Sequence, residues 1–174
     1  KEDAEEAFSE AIARFQKLTK EFPKKALYHR QLGETYLALG NHSRSWPEAK
    51  DTFEDAERAL SRAIELDRND AELYSLRGQA YARMSENEKA ADDYARAVDL
   101  EPSNASRHHT LGHFLFHAND PNVRDKVRAL KHEKKAVELA PRNPQFRSSL
   151  GRMYWHGPHD RDRALQELQT AIEL

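Results

Sequence analysis

Apolar residues recur along the chain at spacings of three and four positions, and short stretches rich in Pro, Asn, Asp and Ser separate the apolar segments. These spacings place residues on one face of an α-helix, whereas a half-buried strand would need strict alternation. The pattern therefore predicts an all-α chain. We expect an N-terminal helix followed by about four antiparallel helical hairpins, each burying its apolar stripe against its neighbours.

Two short motifs alternate along the chain in a fixed order. In the first motif, an apolar or aromatic residue stands three positions after a Gly, and the Gly residues are Gly33, Gly78, Gly112 and Gly151. The second motif has a small residue, a larger one four positions later and an Ala three beyond that, as in Ala56/Leu60/Ala63, Ala90/Tyr94/Ala97, Ala129/Glu133/Ala136 and Ala164/Leu168/Ala171. Because Gly weakens a helix by about 1 kcal/mol relative to Ala, its recurrence predicts helices in close contact.

These motifs resemble the tetratricopeptide repeat (TPR), and residues 71–101 with Pro102 match it best. The resemblance implies a right-handed superhelical α-solenoid whose first helices line a concave face. The chain is also similar to TPR regions of bacterial multidomain signalling proteins. We expect one array over 1–174, with a half repeat at 1–22, a repeat at 26–68 with an insertion near 41–51, a regular repeat at 71–102, a repeat at 105–141 with a short insertion near 118–123, and a last repeat at 144–174.

Helix-start signals follow both insertions and also occur in the regular repeat. Ser45 with Glu48, and Ser85 with Glu88, match the capping box, while the Asp120–Pro121 pair matches an N-cap followed by Pro at the first helical position. Both insertions fall between paired helices. We therefore expect the second helix of each of these two repeats to be lengthened.

Two residues depart from the family pattern. Arg77 stands where the family usually has Leu, and its aliphatic stem can lie along apolar surface while the charged end reaches water. Glu133 replaces a bulky apolar residue, and an unpaired carboxylate in a helix seam is costly. We expect Glu133 to reach solvent or a basic neighbour such as Lys134, with looser packing around it.

The family's binding face, carried over position by position, gives the candidate site residues. They are Arg30, Glu34, Gln79, Arg83, His109, His113, Phe116, His117, Arg152, Trp155 and His156. Phe116 and Trp155 supply flat apolar area, while His and Arg side chains supply hydrogen bonds, a mixture that suits a peptide. The alternative, in which the two aromatic rings only fill the junction between repeats, stays open.

Histidines His109, His113 and His117 are spaced four apart on one predicted helix, so adjacent pairs could chelate a metal ion, with His156 as a further ligand. No Cys or carboxylate completes this set. We therefore predict solvated or peptide-contacting histidines and no metal site. If they titrate on this face, binding changes near about pH 6 to 7.

Composition excludes several classes of function. The 28 basic and 30 acidic residues give a net charge of −2, so no global attraction to nucleic acid or to anionic lipid is expected. The chain has no Cys and no apolar run of transmembrane length. No phosphate-cradling Gly motif and no nucleophile with its base stands out, so we predict neither an enzyme nor a cofactor.

The sequence thus predicts a non-catalytic protein–protein interaction scaffold that binds a peptide or protein segment on its concave face. The alternatives are an RNA-binding helical repeat, and a regulatory or assembly region of a larger enzyme such as a kinase. Self-association through exposed solenoid ends is a further expectation. The chain opens inside an amphipathic pattern without Met, which predicts a segment of a longer protein. The sequence does not indicate the cellular compartment of the protein, and a cytoplasmic location is compatible with it.

Overall fold

The protein is described by a computed structural model over residues 2–43, 45–157 and 160–174. Within these ranges the chain forms nine α-helices and no strand, which confirms the predicted all-α fold of helical hairpins. The helices are α1 (Glu2–Glu21), α2 (Ala26–His42), α3 (Trp46–Leu66), α4 (Ala71–Arg83), α5 (Asn87–Leu100), α6 (Ala105–His117), α7 (Lys126–Leu139), α8 (Pro144–His156) and α9 (Arg161–Glu173). Of the described helices, none is both long enough and apolar enough to cross a bilayer.

The helices form two compact units, Lys1–Ala97 and Val98–Leu174. In the first unit, α2 packs on α1 and α3, and α4 packs on α3. The core of this unit is a cluster of apolar residues from α2, α3 and α4. Its members are Leu37, Ala49, Phe53, Ala56, Leu60, Ala63, Ile64, Leu73 and Ala80.

In the second unit, α6 pairs with α7 and α8 pairs with α9, while α7 and α8 join the two hairpins. Alternating small and large residues let these helices approach closely and bury their apolar stripes. The cluster at the junction of the hairpins consists of Ala136, Val137, Phe146, Leu150, Tyr154 and Ala164.

Close helix contact explains the recurrent glycines, as predicted. A Cβ atom added to Gly33 would lie 2.5 Å from Cγ of Leu60. One added to Gly112 would lie 3.0 Å from the carbonyl oxygen of Ala129, and that backbone atom cannot move aside as a side chain can. At these seams the close approach of the two helices offsets the intrinsic cost of Gly in a helix.

The two insertions have different consequences. The first lengthens both helices of its hairpin, since α2 has 17 residues and α3 has 21, against 13 in α4. The second does not lengthen α7, so the predicted N-cap at Asp120 is wrong. Asp120 instead accepts hydrogen bonds within a turn from the backbone N–H groups of Asn122 and Arg124. The side chain of Asp125 caps α7 by accepting from the backbone N–H groups of residues 127 and 128.

Neither predicted capping box is present as expected. Ser45 occupies the N-cap position of α3 but makes no side-chain cap hydrogen bond, and the side chain of Glu48 lies outside the described residues. Ser85 does not cap α5, which begins at Asn87. It has a φ of 62° and closes α4, with the N–H of Glu86 donating to the carbonyl of Tyr81. This is the left-handed position that usually ends a helix, where Gly is preferred.

Candidate functional site

Helix geometry gathers six of the predicted site residues in the second unit on a surface that we call the histidine face. It consists of His109, His113 and His117 from α6 and Arg152, Trp155 and His156 from α8. The rings on α6 form a ladder, because their four-residue spacing places them one turn apart. The ring centroids are 5.9 Å apart between His109 and His113, and 4.5 Å apart between His113 and His117.

The inner end of the ladder is anchored by Glu133 on α7. Its side chain is 0% exposed, and Nδ1 of His109 donates to its two carboxylate oxygens at 2.9 and 3.1 Å. The ring of His109 also packs on Phe146, with the centroids 4.8 Å apart. The expectation that Glu133 reaches solvent or Lys134 through loose packing is therefore wrong. A buried hydrogen-bond partner makes the carboxylate tolerable in the seam.

Burial and neighbouring charges shift the pKa values of this group. Burial raises the pKa of Glu133, opposed by the hydrogen bond from His109 and by the charge of Arg152. Burial lowers the pKa of His113, and the nearby His117, His109 and Arg152 lower it further. The pKa of His117 is lowered for the same main reason, with contributions from Arg152 and His156. His113 and His117 are consequently neutral at pH 7 and can both donate and accept hydrogen bonds.

The two aromatic candidates have different environments. Phe116 is only 7% exposed, so its ring belongs to the packing of the unit, and the expectation that it supplies open apolar surface is wrong. It lies edge-on to His117 and below Nζ of Lys126. Trp155 is 42% exposed, with the guanidinium of Arg161 5.4 Å from the centre of its ring. Trp155 is therefore the accessible aromatic residue of this pair.

In the first unit, two of the four candidate residues, Arg30 and Glu34, bond to each other. Nε of Arg30 donates to Glu34 at 2.7 Å, and its guanidinium also lies 3.6 Å from the carboxylate of Asp70. Gln79 is half-buried in α4. Arg83 is exposed beside a cavity of about 250 Å³ that is lined mainly by the ends of α2 and α3. The paired charges of Arg30 and Glu34 leave less bonding capacity for a ligand than the histidine face offers.

A buried ion pair between α4 and α5 was not predicted from the sequence. Nε and one terminal nitrogen of Arg77 donate to the two carboxylate oxygens of Asp93, each at 2.8 Å, and the other terminal nitrogen donates to Ser61 at 3.0 Å. The Arg77 head therefore points into the hairpin and does not reach out to water. In the structure Gly78 faces Tyr94 across the same hairpin, and the preceding residues, 77 and 93, face each other at the same separation, but the spacing of the motifs does not itself pair these side chains.

Among the described residues, no three or more His, Cys, Asp or Glu side chains converge as a metal site. The histidine face instead presents imidazole nitrogens, one guanidinium and one indole ring. Such groups can bind peptide carbonyls, amides and carboxylates and cover an apolar side chain. The arrangement is chemically suited to recognition.

Apolar side chains are also exposed on α9. Leu165 and Ile172 are 60% and 79% exposed. Large apolar patches of this kind often mark contact surfaces. Self-association through this helix stays a prediction.

Comparison with known families supports the repeat assignment. Two family models, both described as tetratricopeptide repeat, match residues 2–46 and 71–104. The small glutamine-rich tetratricopeptide repeat-containing protein 2 of Mycosarcoma maydis is 31% identical over 117 residues, which are 67% of this chain and 31% of that protein. The chain therefore spans about a third of the length of this curated relative.

Solved structures share the fold. MamA has a TM-score of 0.77 at 25% identity, covering 95% of this chain and 87% of that one. TTC0263, a thermophilic TPR protein of Thermus thermophilus, has a TM-score of 0.72 at 24% identity, covering 84% and 73% of the two chains. YrrB, described as a TPR protein with an unusual peptide-binding site, has a TM-score of 0.70 at 18% identity, covering 98% and 79%. The fold is that of a protein-interaction scaffold. Its helical hairpins, its repeat motifs and these matches together show that the chain belongs to the tetratricopeptide repeat family.

Proposed function

We propose that this chain is a non-catalytic scaffold that holds a peptide segment of another protein on the histidine face. The observation that carries the proposal is the exposure of His113, His117, Arg152 and Trp155 on the neighbouring helices α6 and α8. No carboxylate of the described residues lies within 4 Å of the Arg152 guanidinium, so this charge is available to a ligand.

The chemistry of the face favours a particular kind of peptide. Arg152 can take a carboxylate or a backbone carbonyl, and the neutral imidazoles can pair with both N–H and C=O groups of an extended backbone. Trp155 can cover an aliphatic or aromatic side chain with little loss of rotamer entropy. A segment with one apolar anchor beside an acidic or polar residue uses all three kinds of group.

Related folds support peptide binding as a use of this architecture. YrrB, which shares the fold at 18% identity, is described as having an unusual peptide-binding site. The first unit is a weaker candidate, because Arg30 and Glu34 are already paired with each other. We therefore assign the peptide to the second unit.

Selection from a diverse displayed peptide library tests the proposal. The native chain is compared with a variant carrying His113→Ala, Arg152→Ala and Trp155→Ala, all at exposed positions. The control variant carries Phe22→Ala and Arg68→Ala, which remove an exposed aromatic ring and an exposed guanidinium from the first unit.

We expect a set of peptides to enrich on the native chain and on the control and to be lost on the histidine-face variant, whereas any peptide that binds elsewhere on the chain enriches on all three proteins. Circular dichroism of the variants shows whether helicity is unchanged. Equal enrichment of every selected peptide on all three proteins, or no enrichment on the native chain, contradicts the assignment of the peptide to this face.

A further inference from the structure

The second unit contains a cavity with a volume of about 670 Å³ that shares no residue with the histidine face. We call it the α7 pocket. Its volume is in the range of ligand-binding sites in proteins. The residues that matter for its chemistry are Val127, Leu130, Lys131, His132, Lys134 and Lys135, all on α7.

The wall of the α7 pocket is apolar. Val127 is 82% exposed, and Leu130 is half-buried against the core of the unit. A β-branched apolar residue with most of its surface in water gains free energy when a ligand covers it. The wall is therefore suited to an aliphatic side chain of a partner.

The rim of the pocket is basic. Lys131, Lys134 and Lys135 belong to it, and the one carboxylate in the lining, Glu138, is already paired with Nζ of Lys135 at 2.6 Å. Nζ of Lys134 lies over the ring of Tyr154. Lys131 is exposed and has no carboxylate of the described residues within 4 Å. The excess positive charge complements an acidic ligand.

The floor of the pocket holds a hydrogen-bonded histidine pair. Nε2 of His108 lies 3.0 Å from the carbonyl oxygen of Pro102, so Nε2 must carry the hydrogen and donate it. Nδ1 of neutral His108 is then an acceptor, and Nδ1 of His132, 3.1 Å away, must be the donor to it. The remaining nitrogen of His132, Nε2, is left with a free lone pair when the ring is neutral.

This hydrogen-bond order lets His132 take up a proton without losing a bond. A proton added at Nε2 leaves the Nδ1–H donor to His108 unchanged and creates a new N–H donor at the pocket. The groups around His132 are His108 from α6, Arg128 and Lys131 on α7, and the pocket residues Lys134, Lys135 and Glu138. Most of them are cationic, so an anion at this point would favour the charged imidazole.

We propose that the α7 pocket docks an acidic peptide segment of a partner protein, with an aliphatic side chain on Val127 and Leu130 and a carboxylate between Lys131 and His132. The open, exposed wall and the row of lysines fit an extended segment with several carboxylates. This contact is independent of the histidine face, and a partner could occupy both surfaces.

Proton uptake accompanies docking in this arrangement. Burial lowers the pKa of His132, and His108, Arg128 and Lys131 lower it further, so the free pocket holds a neutral ring at neutral pH. A bound carboxylate stabilises the imidazolium and raises this pKa again. Affinity for an acidic segment therefore increases as the pH falls from about 8 to about 6.

The test uses a fluorescent peptide in which adjacent leucines are flanked by glutamates, and fluorescence anisotropy measures its binding to the full chain. We expect Lys131→Glu to weaken binding at least about tenfold, since it places like charges together. The control, Lys24→Glu, makes the same charge change at an exposed site in the first unit and should leave the affinity unchanged. A matched peptide with lysines in place of glutamates should not bind.

A second variant isolates the role of His132. His132→Gln keeps a donor toward His108 but removes the titrating ring, so its affinity at pH 8 should stay within about twofold and the increase toward pH 6 should disappear. Equal loss in Lys131→Glu and Lys24→Glu, or no binding of the glutamate peptide, overturns the proposed docking site. An unchanged pH dependence in His132→Gln overturns the proton coupling.

Discussion

The guanidinium of Arg77 and the carboxylate of Asp93 form two hydrogen bonds of 2.8 Å across the seam between α4 and α5. The guanidinium also lies near the rings of Tyr74 and Tyr81, with its central carbon 5.8 and 5.7 Å from their centres. The pair raises the pKa of Arg77, chiefly through the hydrogen bond to Asp93. Arg77, paired with Asp93, thus stands at a position where the family usually has Leu.

Restoring the family residue should therefore destabilise this chain. Arg77→Leu leaves Asp93 buried without its cation, and we expect a loss of about 3 kcal/mol in the free energy of unfolding, measured by urea denaturation. Adding Asp93→Ala to that variant removes the unpaired carboxylate and should restore at least about 1 kcal/mol. If the effects of the two substitutions on the free energy of unfolding are additive, Arg77 and Asp93 do not interact as a pair, and the prediction is wrong.

Glu133 predicts a particular pH dependence. Burial raises its pKa above the ordinary value of 4.5, so the folded protein holds this proton more tightly than the unfolded chain. Its contribution to stability is fully present below about pH 4.5 and is lost as the pH rises through the raised pKa. The side chain in Glu133→Gln does not ionise, so the variant does not lose this contribution. The free energy of unfolding of the variant, relative to that of the native protein, should therefore increase with pH across that window.

Thermal unfolding at a series of pH values measures the Glu133 effect. Glu6→Gln, at an exposed position on α1 beyond the first turn of the helix, is the control and should follow the native protein at every pH. A difference between Glu133→Gln and the native protein that is constant with pH, or that grows toward acid, would contradict the burial of an ionisable carboxyl at this seam.

The seam between α6 and α7 should not tolerate a methyl group. Gly112→Ala improves helix propensity by about 1 kcal/mol. Its Cβ, however, would lie 3.0 Å from the Ala129 carbonyl oxygen and 3.2 Å from the Glu133 nitrogen, both backbone atoms. We expect a net destabilisation of about 1 to 3 kcal/mol in urea denaturation. Ser106→Ala, on the exposed side of the same helix, should have little effect.

The turn after α4 offers a stabilising substitution. Ser85 is the one non-glycine residue with positive φ in the described part of the chain. Gly adopts this conformation without a Cβ clash, so Ser85→Gly should stabilise the protein by about 0.5 kcal/mol, seen as a higher urea midpoint. Ser103→Gly, in a turn without positive φ, gains no such relief. If Ser103→Gly stabilises as much as Ser85→Gly, the helix-ending role of Ser85 is wrong.

The hairpins were predictable because the Gly and Ala motifs recur in register, and each motif reports a local helix contact. The partners of Glu133 and Arg77 were harder to predict, because His109 and Asp93 stand on the other helix of each hairpin and periodicity does not pair side chains across helices. The α7 start was missed because both Asp120 and Asp125 match a cap. The hydrogen bonds that Asp120 accepts from Asn122 and Arg124 show that the first of them belongs to a turn.

Peptide binding at the histidine face is tested most directly by backbone amide NMR of the native chain, titrated with a selected peptide that the histidine-face variant no longer binds. We expect the largest chemical-shift changes on α6 and α8, around His113, His117 and Arg152, and on the indole N–H of Trp155. Changes concentrated in the first unit, or confined to α7 and α9, would contradict binding at the histidine face.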